Sequence, residues 1–339
     1  MMAEPYISIT MTCYNYAHYM KRSLNAIKNQ TYKDYDVILI DDCSKDDTVS
    51  VIKKFMNENP DMPIRLIENK ENQGVLAARN TVLDAADGTY IMFCDSDDWM
   101  DENCLEVLAK GTNNGEADRV IAQFRDVDQS GKILQIQDLP EKPSKWICGC
   151  HHGTLYRRSI FVDHDIRFKD LYPDDVYINV MFHQYCNKVV FLHETIYNWY
   201  VHTDSTSRTL NEDSPWIGVK MFQQVLDYVT PIFEKLESQK EKQEVELLVM
   251  KLYCLSIYHS YRDTSLKKMF KGYRKLHGLM KKYYPRYQKN IFLSSAKDAP
   301  MRKYALLVVK GTVYLEKFHL MKIGLTAYHI ISKFYYFNM

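Results

Sequence analysis

The first hundred residues alternate between short apolar runs and helix-like segments, and this alternation restricts the possible folds more than any other feature of the chain. It is typical of a parallel sheet whose strands are joined by crossover helices. The run Asp36–Ile40 is continuous and rich in β-branched residues, as expected for a strand that is buried on both faces. The pattern predicts strands over Tyr6–Thr12, Asp36–Ile40, Ile64–Ile67 and Tyr90–Cys94, and helices over His18–Asn29, Thr48–Asn57 and Val75–Ala86.

Polar residues follow directly on three of these apolar runs. Tyr14 and Asn15 follow the first, the segment Asp41–Thr48 follows the second, and Asp95–Trp99 follows the fourth. Ligands of open α/β sheets bind outside the carboxyl ends of the strands, so an aromatic ring and two carboxylate clusters are expected to share one crevice. A ring can stack on a base, and a carboxylate can accept its N–H. A diphosphate among carboxylates needs a divalent cation, and oxygen ligands suit Mg²⁺ or Mn²⁺.

Four ordered motifs carry a resemblance to a known family. They are Ser8–Asn15, Ile40–Thr48, the pair Asn72-Gln73-Gly74 and Ala78-Arg79-Asn80, and Asp95–Trp99. With this order and spacing, residues 5–210 resemble glycosyltransferase family 2, whose members have the GT-A fold. The resemblance implies an α/β protein with a Rossmann-like, mostly parallel sheet flanked by helices. We expect a GT-A domain over residues 1–212 and a basic, mainly helical region over residues 213–339.

The resemblance also implies a role for individual residues. Asp42 is expected to accept the base N–H, Tyr14 to stack on or flank the base, and Asp95 to face the ribose. Asp97 is expected to ligate a divalent cation, Mn²⁺ or Mg²⁺, that bridges the two phosphates, and Arg79 to steady the base or the diphosphate. The remaining donor-binding residues are Asn15 and Thr12, and Thr12 stands where the family usually has Pro.

Several of these acidic residues have a simpler interpretation. Ser44, Asp46 and Asp47 lie where a helix N-cap is expected, and we interpret them as caps rather than ligands. An Asp-Ser-Asp sequence by itself is weak evidence for a metal site, since most acidic loops are solvated and bind no ion. Its position directly after an apolar strand, together with Asp42, favours a metal site.

The segment Trp146–Arg158 crowds cysteines and histidines together. A zinc site is disfavoured, because the spacing is tighter than in zinc knuckles and no second ligand pair lies nearby. The stretch Gly153–Arg158 instead resembles the family's segment on the acceptor side of the site.

The segment Tyr172–Asn179 is similar to the family's Glu-Asp motif at the start of a helix. The resemblance makes Asp175 the catalytic base of an inverting transfer, in which a carboxylate removes the proton of the acceptor hydroxyl. The alternative is that Asp174 or Asp175 only caps a helix predicted over Val176–Tyr185. We assign the cap or supporting role to Asp174 and the base to Asp175.

A polar segment follows two further predicted strands, Lys188–Leu192 and Thr195–Tyr200. Many relatives have a comparable His-x-x-Ser segment that closes over the diphosphate. By this resemblance His202 is a metal ligand, whereas the alternative is an exposed histidine in a polar loop. The same resemblance implies that the side chains which donate hydrogen bonds to the diphosphate are Ser205, Ser207 and Arg208.

Charge divides the chain unequally. Residues 259–339 carry 17 Lys/Arg and 3 Asp/Glu, and residues 1–258 carry 27 and 40, so the net charges are +14 and −13. Basic residues alternate there with aromatic ones, and Lys303, Lys310 and Lys317 recur every seven residues. This composition favours contact with an anionic membrane surface. Nucleic acid is disfavoured because no nucleic-acid module accompanies the region. The alternative is packing on the body of the protein or in a homo-oligomer.

No apolar run approaches the roughly 18 residues that span a bilayer, and scattered cysteines without a secretion signal favour the cytoplasm. The function that the resemblance implies is an inverting glycosyltransferase, and we expect it on the inner face of the membrane. It would take a nucleotide-diphosphate sugar, expected to be a UDP-sugar, and a saccharide acceptor that is lipid-linked, as in capsule or other cell-surface polysaccharide synthesis. The alternatives are an inactive sugar-nucleotide-binding protein and a nucleotidyltransferase. The sequence disfavours a nucleotidyltransferase, because no glycine- and lysine-rich loop follows the first strand.

Overall fold

The computed structural model describes residues 6–147, 150–171, 173–202, 218–261, 264–295 and 297–332. The chain forms two compact units. The first comprises Met1–Leu139, Cys150–Asp170 and Met181–Ser205, and the second comprises Pro140–Gly149, Leu171–Val180 and Thr206–Met339. The second unit therefore includes two short segments that precede residue 213. The predicted diphosphate ligands Ser205, Ser207 and Arg208 lie outside the described residues.

The first unit is built on a mixed sheet with flanking helices. Its strands are β1 Ile7–Cys13, β2 Tyr35–Asp41, β3 Ile64–Glu68, β4 Tyr90–Asp95, β5 Trp99–Met100, β6 Arg119–Val127, β7 Ile133–Gln137, β8 Thr154–Arg157 and β9 Val189–Tyr200. Its helices are α1 Ala17–Lys28, α2 Thr48–Glu58, α3 Val75–Ala85, α4 Cys104–Gly111 and α5 Arg158–Asp163, while α6, Asp174–His183, runs from the second unit into the first.

The strand order is β3-β2-β1-β4-β8-β6-β9-β5, with β7 paired to β6. The strands β1 to β4 are parallel to one another, as are β6 and β9, whereas β8 runs antiparallel to both β4 and β6. This arrangement confirms the predicted mostly parallel sheet with crossover helices. The four predicted strands of the first hundred residues coincide with β1 to β4 to within one residue at each end.

The sheet is buried on both faces at its centre. In β2, the side chains from Val37 to Ile40 are fully buried, and in β1 Ile7 and Ile9 are as well. Full burial of an aliphatic side chain of this size contributes roughly 1.5–3 kcal/mol. The hydrophobic centre therefore fixes the carboxyl ends of β1, β2 and β4 beside one another, where the polar motifs begin.

The prediction of two strands over Lys188–Leu192 and Thr195–Tyr200 is wrong, because β9 is a single strand of 12 residues. Its pairing with β6 shifts register after Leu192, which lies opposite Ala122, while Thr195 lies opposite Gln123. The two intervening residues are thus accommodated as an irregularity inside the strand. The two predicted strands left out the polar pair His193-Glu194, which lies inside β9.

The second unit is mainly helical over its described residues, which confirms the predicted helical C-terminal region. Its helices are α7 Gly218–Lys235, α8 Gln239–Tyr258, α9 Leu266–Tyr283, α10 Lys303–Lys317 and α11 Met321–Ile331. Ser238 and Ser265 begin α8 and α9 as N-caps, and each hydroxyl accepts a hydrogen bond from a backbone N–H of the first turn. Among the described residues, no helix combines the length and the apolar character that a membrane crossing requires.

A buried carboxylate joins three helices of this unit and the segment that follows α9. Glu316 of α10 accepts hydrogen bonds from Tyr253 of α8 at 2.5 Å, from His277 of α9 at 3.0 Å, and from the hydroxyls of Tyr273 and Tyr287. Its side chain is only 1% exposed. Burial, followed by the charge of Glu316, raises the pKa of all three tyrosines, so their hydroxyls stay protonated and donate.

We expect Glu316→Gln to lower the free energy of unfolding by about 1–3 kcal/mol, because an amide has one acceptor oxygen and leaves at least one buried donor unpaired. Urea unfolding of the full chain, followed by circular dichroism, measures this change. Glu237→Gln, at an exposed position of the same unit, is the matched control. Equal unfolding midpoints for the two variants would show that the buried carboxylate does not hold the helices together.

Candidate functional site

The loops after β1 and β2 are tied to each other by hydrogen bonds. Asn15, with a φ of 57°, donates its backbone N–H to Ser44 Oγ at 2.9 Å, and its side-chain oxygen accepts the backbone N–H of Lys45 at 2.7 Å. Asparagine tolerates this left-handed conformation better than most residues. Tyr14 precedes Asn15 and is 41% exposed. The tie thus leaves an aromatic ring at the sheet edge open to a ligand.

Capping in these loops is concentrated on one residue. The Asp46 carboxylate accepts the backbone N–H of Ala17 at 3.1 Å and that of Thr48 at 3.0 Å, the first residues of α1 and α2. Asp47 is at the N-cap position of α2 but makes no capping hydrogen bond through its side chain. Capping is therefore confirmed for Asp46, whereas for Asp47 the structure shows none.

Asp42 is buried and anchors the loop that precedes α3. Its Oδ1 accepts hydrogen bonds from Asn69 Nδ2 at 2.8 Å and the backbone N–H of Gln73 at 2.9 Å, and its Oδ2 accepts the backbone N–H of Gly74 at 2.8 Å. A carboxylate has about four lone-pair sites, and these three bonds leave one on Oδ2. Its own backbone N–H donates to Cys13 at the end of β1. Asp42 thus both organises this loop and retains one acceptor site.

Asp95 ends β4, where Thr12 of β1 is its partner in the parallel register. Its carboxylate lies 3.3 Å from an Arg79 guanidinium nitrogen and 3.5 Å from His152 Nε2. Burial acts to raise the pKa of Asp95, but the His152 hydrogen bond and the positive charges of Arg79 and His152 outweigh it and hold the pKa below its usual value. Asp95 is therefore anionic over the physiological range.

The structure brings Asp97 and His202 together from positions 105 residues apart, with 2.8 Å between His202 Nε2 and Asp97 Oδ2. Burial and the charge of Asp95 raise the pKa of Asp97, whereas the His202 hydrogen bond opposes them. Two adjacent ligand atoms of an octahedral cation with bonds of about 2.1 Å are roughly 3 Å apart. The two side chains therefore fit a divalent cation, although their role as ligands stays a prediction.

A second cluster of possible ligands is formed by Asp95, Asp98 and His152, whose ligand atoms lie within 4.8 Å of one another. Asp98 is fully buried, and its carboxylate accepts the Tyr200 backbone N–H at 2.8 Å and the Tyr197 hydroxyl at 3.0 Å. Although burial acts to lower the pKa of His152, its hydrogen bonds and the charge of Asp98 raise it well above the ordinary value. These three side chains are a second candidate for a cation site, in addition to Asp97 and His202.

Arg22 of α1 supports the two candidate metal ligands, Asp97 and His202. This role was not predicted from the sequence. Arg22 donates to the backbone carbonyl of Asp97 at 2.7 Å, and its guanidinium lies 4.0 Å from the Trp99 ring centroid and 4.3 Å from that of Tyr200. The Tyr200 ring in turn stacks on His202, with centroids 5.1 Å apart. Arg22 therefore contacts Asp97 directly and His202 through one aromatic ring. Because its partners lie at least 75 residues away, no local pattern could have indicated it.

The predicted catalytic base lies in the other unit. Asp175 and Asp174 are both in the first turn of α6, within the segment Leu171–Val180 that belongs to the second unit. Every other predicted site residue among the described ones belongs to the first unit. The assignment of Asp175 as the base stays a prediction.

Comparison with known proteins finds glycosyltransferases that are similar to this chain. A family model described as glycosyl transferase family 2 matches residues 8–165. Glycosyltransferase GlyA of Streptococcus pneumoniae is 26% identical over 62% of this chain, and the chain spans about a third of the length of GlyA (33%).

Two solved structures share the fold. One is the structure of S. aureus TarS 1-349 in complex with UDP-GlcNAc, with a TM-score of 0.70 at 17% identity. The matched region covers 91% of this chain and 92% of the TarS chain. The mannosyltransferase PcManGT from Pyrobaculum calidifontis, in complex with GDP-Man and Mn²⁺, has a TM-score of 0.54 at 16% identity and covers 93% and 89%. The likeness to TarS confirms the expected GT-A fold. Together with the motifs after β1, β2 and β4, the family match shows that residues 8–165 of this chain are similar to glycosyltransferase family 2.

Proposed function

We propose that this chain transfers a sugar from a nucleotide-diphosphate donor to a hydroxyl group of a saccharide acceptor, with inversion at the anomeric carbon. The observation that carries the proposal is the Asp97–His202 pair at the carboxyl end of β4, beside the ionised Asp95. Ligand sites of open α/β sheets lie at this edge. The family match over residues 8–165 supports the same reaction class.

A UDP-sugar is the proposed donor. The remaining acceptor site on Asp42 Oδ2 is suited to the ring N–H of uracil, and the exposed Tyr14 ring to its face. Asp95 would accept hydrogen bonds from the ribose, and Arg79, already beside Asp95, would face the base or the diphosphate. Thr12 and Asn15 would contribute through the backbone of the loop after β1. TarS was solved with UDP-GlcNAc, which supports a uridine nucleotide.

Asp97 and His202 are proposed to hold Mn²⁺ or Mg²⁺, and PcManGT was solved with Mn²⁺. The cation would neutralise the charge that develops on the departing nucleotide diphosphate. Arg22 would keep the backbone of Asp97 and the ring of His202 in place. Ser205, Ser207 and Arg208 follow His202 in sequence and are proposed to donate to the diphosphate.

Asp175 is proposed to take the proton of the acceptor hydroxyl in a single displacement, which needs no covalent intermediate. Its position at the start of α6 supports this role, since backbone N–H groups of a first helical turn favour the anionic form of a carboxylate. The acceptor is proposed to be a lipid-linked saccharide of cell-surface polysaccharide synthesis, reached from the cytoplasmic side of the membrane.

A panel of nucleotide sugars tests this function, with nucleotide release measured in Mn²⁺, in Mg²⁺ and in EDTA. We expect cation-dependent release of a nucleoside diphosphate from one donor, increased by a saccharide acceptor. Release of inorganic pyrophosphate from a nucleoside triphosphate and a sugar phosphate would identify a nucleotidyltransferase instead. Tight binding of a donor without any turnover would identify an inactive sugar-nucleotide-binding protein.

A further inference from the structure

Helix α10 has large apolar side chains on the face opposite to the one it buries. Leu306, Val309 and Val313 pack into the second unit and are nearly inaccessible to solvent. On the other side, Leu307 is 67% exposed and Tyr314 is 59% exposed. These two residues are seven positions apart and therefore lie on one stripe of the helix. Tyr304 and, just beyond the helix, Phe318 widen the same apolar stripe.

Helix α11 repeats this arrangement. Met321 and Leu325 are buried, whereas Ile323 and Ile330 are 68% and 55% exposed on the opposite side. A surface helix of a water-soluble protein normally carries polar residues on its outer side, and a helix that is apolar all round belongs to a core or to a membrane environment. We call the exposed side of both helices the α10–α11 face.

The charge of this face has one sign. Across residues 301–332 the chain carries five Lys/Arg and a single acid. That acid is Glu316, whose carboxylate is buried among tyrosines and so adds no negative charge to the surface. On α10, Lys303, Lys310 and Lys317 form a row along the edge of the apolar stripe, at the seven-residue spacing that keeps them on one side of the helix.

The face is held in place by packing on its inner side. The Tyr328 hydroxyl of α11 donates to the backbone carbonyl of Tyr258 in α8 at 2.8 Å, and the two rings are 4.9 Å apart. Gly324 lies so close to Leu315 that a Cβ atom there would collide with the Leu315 side chain. The two helices thus pack against each other, α11 also packs on α8, and each helix presents exposed apolar residues from a fixed position.

We propose that the α10–α11 face docks on an anionic lipid bilayer, with its apolar side chains in the headgroup layer and its lysines against the lipid phosphates. A bilayer surface matches both properties of the face, since it takes up apolar side chains and attracts cations. In a symmetric dimer each lysine row would meet the same surface of the other copy, and the face offers no acid to balance the repulsion. Nucleic acid would match the lysines but not the exposed Leu307, Ile323 and Ile330.

Binding to vesicles tests the proposal with the full chain. We expect it to co-sediment with vesicles of phosphatidylglycerol and phosphatidylcholine in equal parts, and far less with pure phosphatidylcholine. The charge-reversal variant Lys303→Glu, Lys310→Glu, Lys317→Glu should weaken binding to the anionic vesicles at least about tenfold. Its matched control is Lys267→Glu, Lys271→Glu, Lys275→Glu, an exposed row on α9 with the same change in net charge, which should have a clearly smaller effect.

A second variant, Leu307→Asp with Ile323→Asp, should also weaken binding to the anionic vesicles. Both positions are exposed, so the variant is expected to fold, which circular dichroism checks. Equal losses in the two lysine variants, or no binding of the unmodified chain to anionic vesicles, would overturn the proposal. A dimer that Ile323→Asp dissociates, seen by analytical ultracentrifugation, would assign the face to a second copy. UDP binding, measured on each variant, separates this proposal from the proposed function, which needs none of these residues.

Discussion

The variant Asp97→Asn is expected to lose about a thousandfold in cation-dependent turnover, since a bound cation contributes several kcal/mol to charge stabilisation in such reactions and each 1.4 kcal/mol is about tenfold in rate. The amide removes the negative charge that faces His202 at 2.8 Å. Folding should not suffer, because burial and Asp95 raise the pKa of Asp97 and the native protein therefore disfavours its charged form.

The loss of turnover is measured as the rate of nucleotide release. The donor concentration is fixed and the Mn²⁺ concentration is varied. Asp47→Asn is the control, since Asp47 is exposed at the N-cap of α2 and makes no capping bond through its side chain. His202→Gln should weaken the Mn²⁺ dependence as well. If Asp97→Asn turned over as fast as the unmodified chain at every Mn²⁺ concentration, the assignment of the metal ligands would be wrong.

The variant Asp175→Asn is expected to lower the rate of sugar transfer by about 10²–10⁴-fold, the usual contribution of a general base. Donor and cation binding should be unchanged, because the described residues proposed to bind them all belong to the first unit, whereas Asp175 lies in the second. Transfer to a saccharide acceptor is the measurement, with UDP binding recorded in parallel.

The neighbouring Asp174→Asn provides a matched control in the same turn of α6. It should reduce stability by about 1 kcal/mol or less, as expected for a helix-terminal carboxylate, and leave most of the transfer rate. The reverse result, with Asp174→Asn inactive and Asp175→Asn active, would move the base by one residue.

The sequence was sufficient where structure depends on local pattern. The strands β1, β2 and β4 each have a continuous apolar run bounded by polar residues, and their ends were predicted to within one residue. The position of β8 between β4 and β6 was not predicted, because its pairing joins distant segments of the chain. Two strands were predicted where β9 is a single strand, since the polar pair His193-Glu194 is accommodated by a register shift against the partner strand β6.

The site residues divide in the same way, into those predicted from local motifs and those that only the fold brings together. Asp42, Asp95, Asp97 and His202 were named from motifs, and the structure places Asp97 against His202. The residues around them were missed. The carboxylate of Asp98 is committed to β9. Arg22, which donates to the backbone of Asp97, and His152, which lies against Asp95, both contact predicted site residues from distant parts of the sequence.

The most direct test of the proposed cation and diphosphate site is isothermal titration calorimetry of UDP into the chain, with Mn²⁺ and then with EDTA. We expect UDP to bind in Mn²⁺ and to lose most of its affinity in EDTA and in the Asp97→Asn variant. Failure of both UDP and GDP to bind in excess Mn²⁺ would contradict the existence of the site.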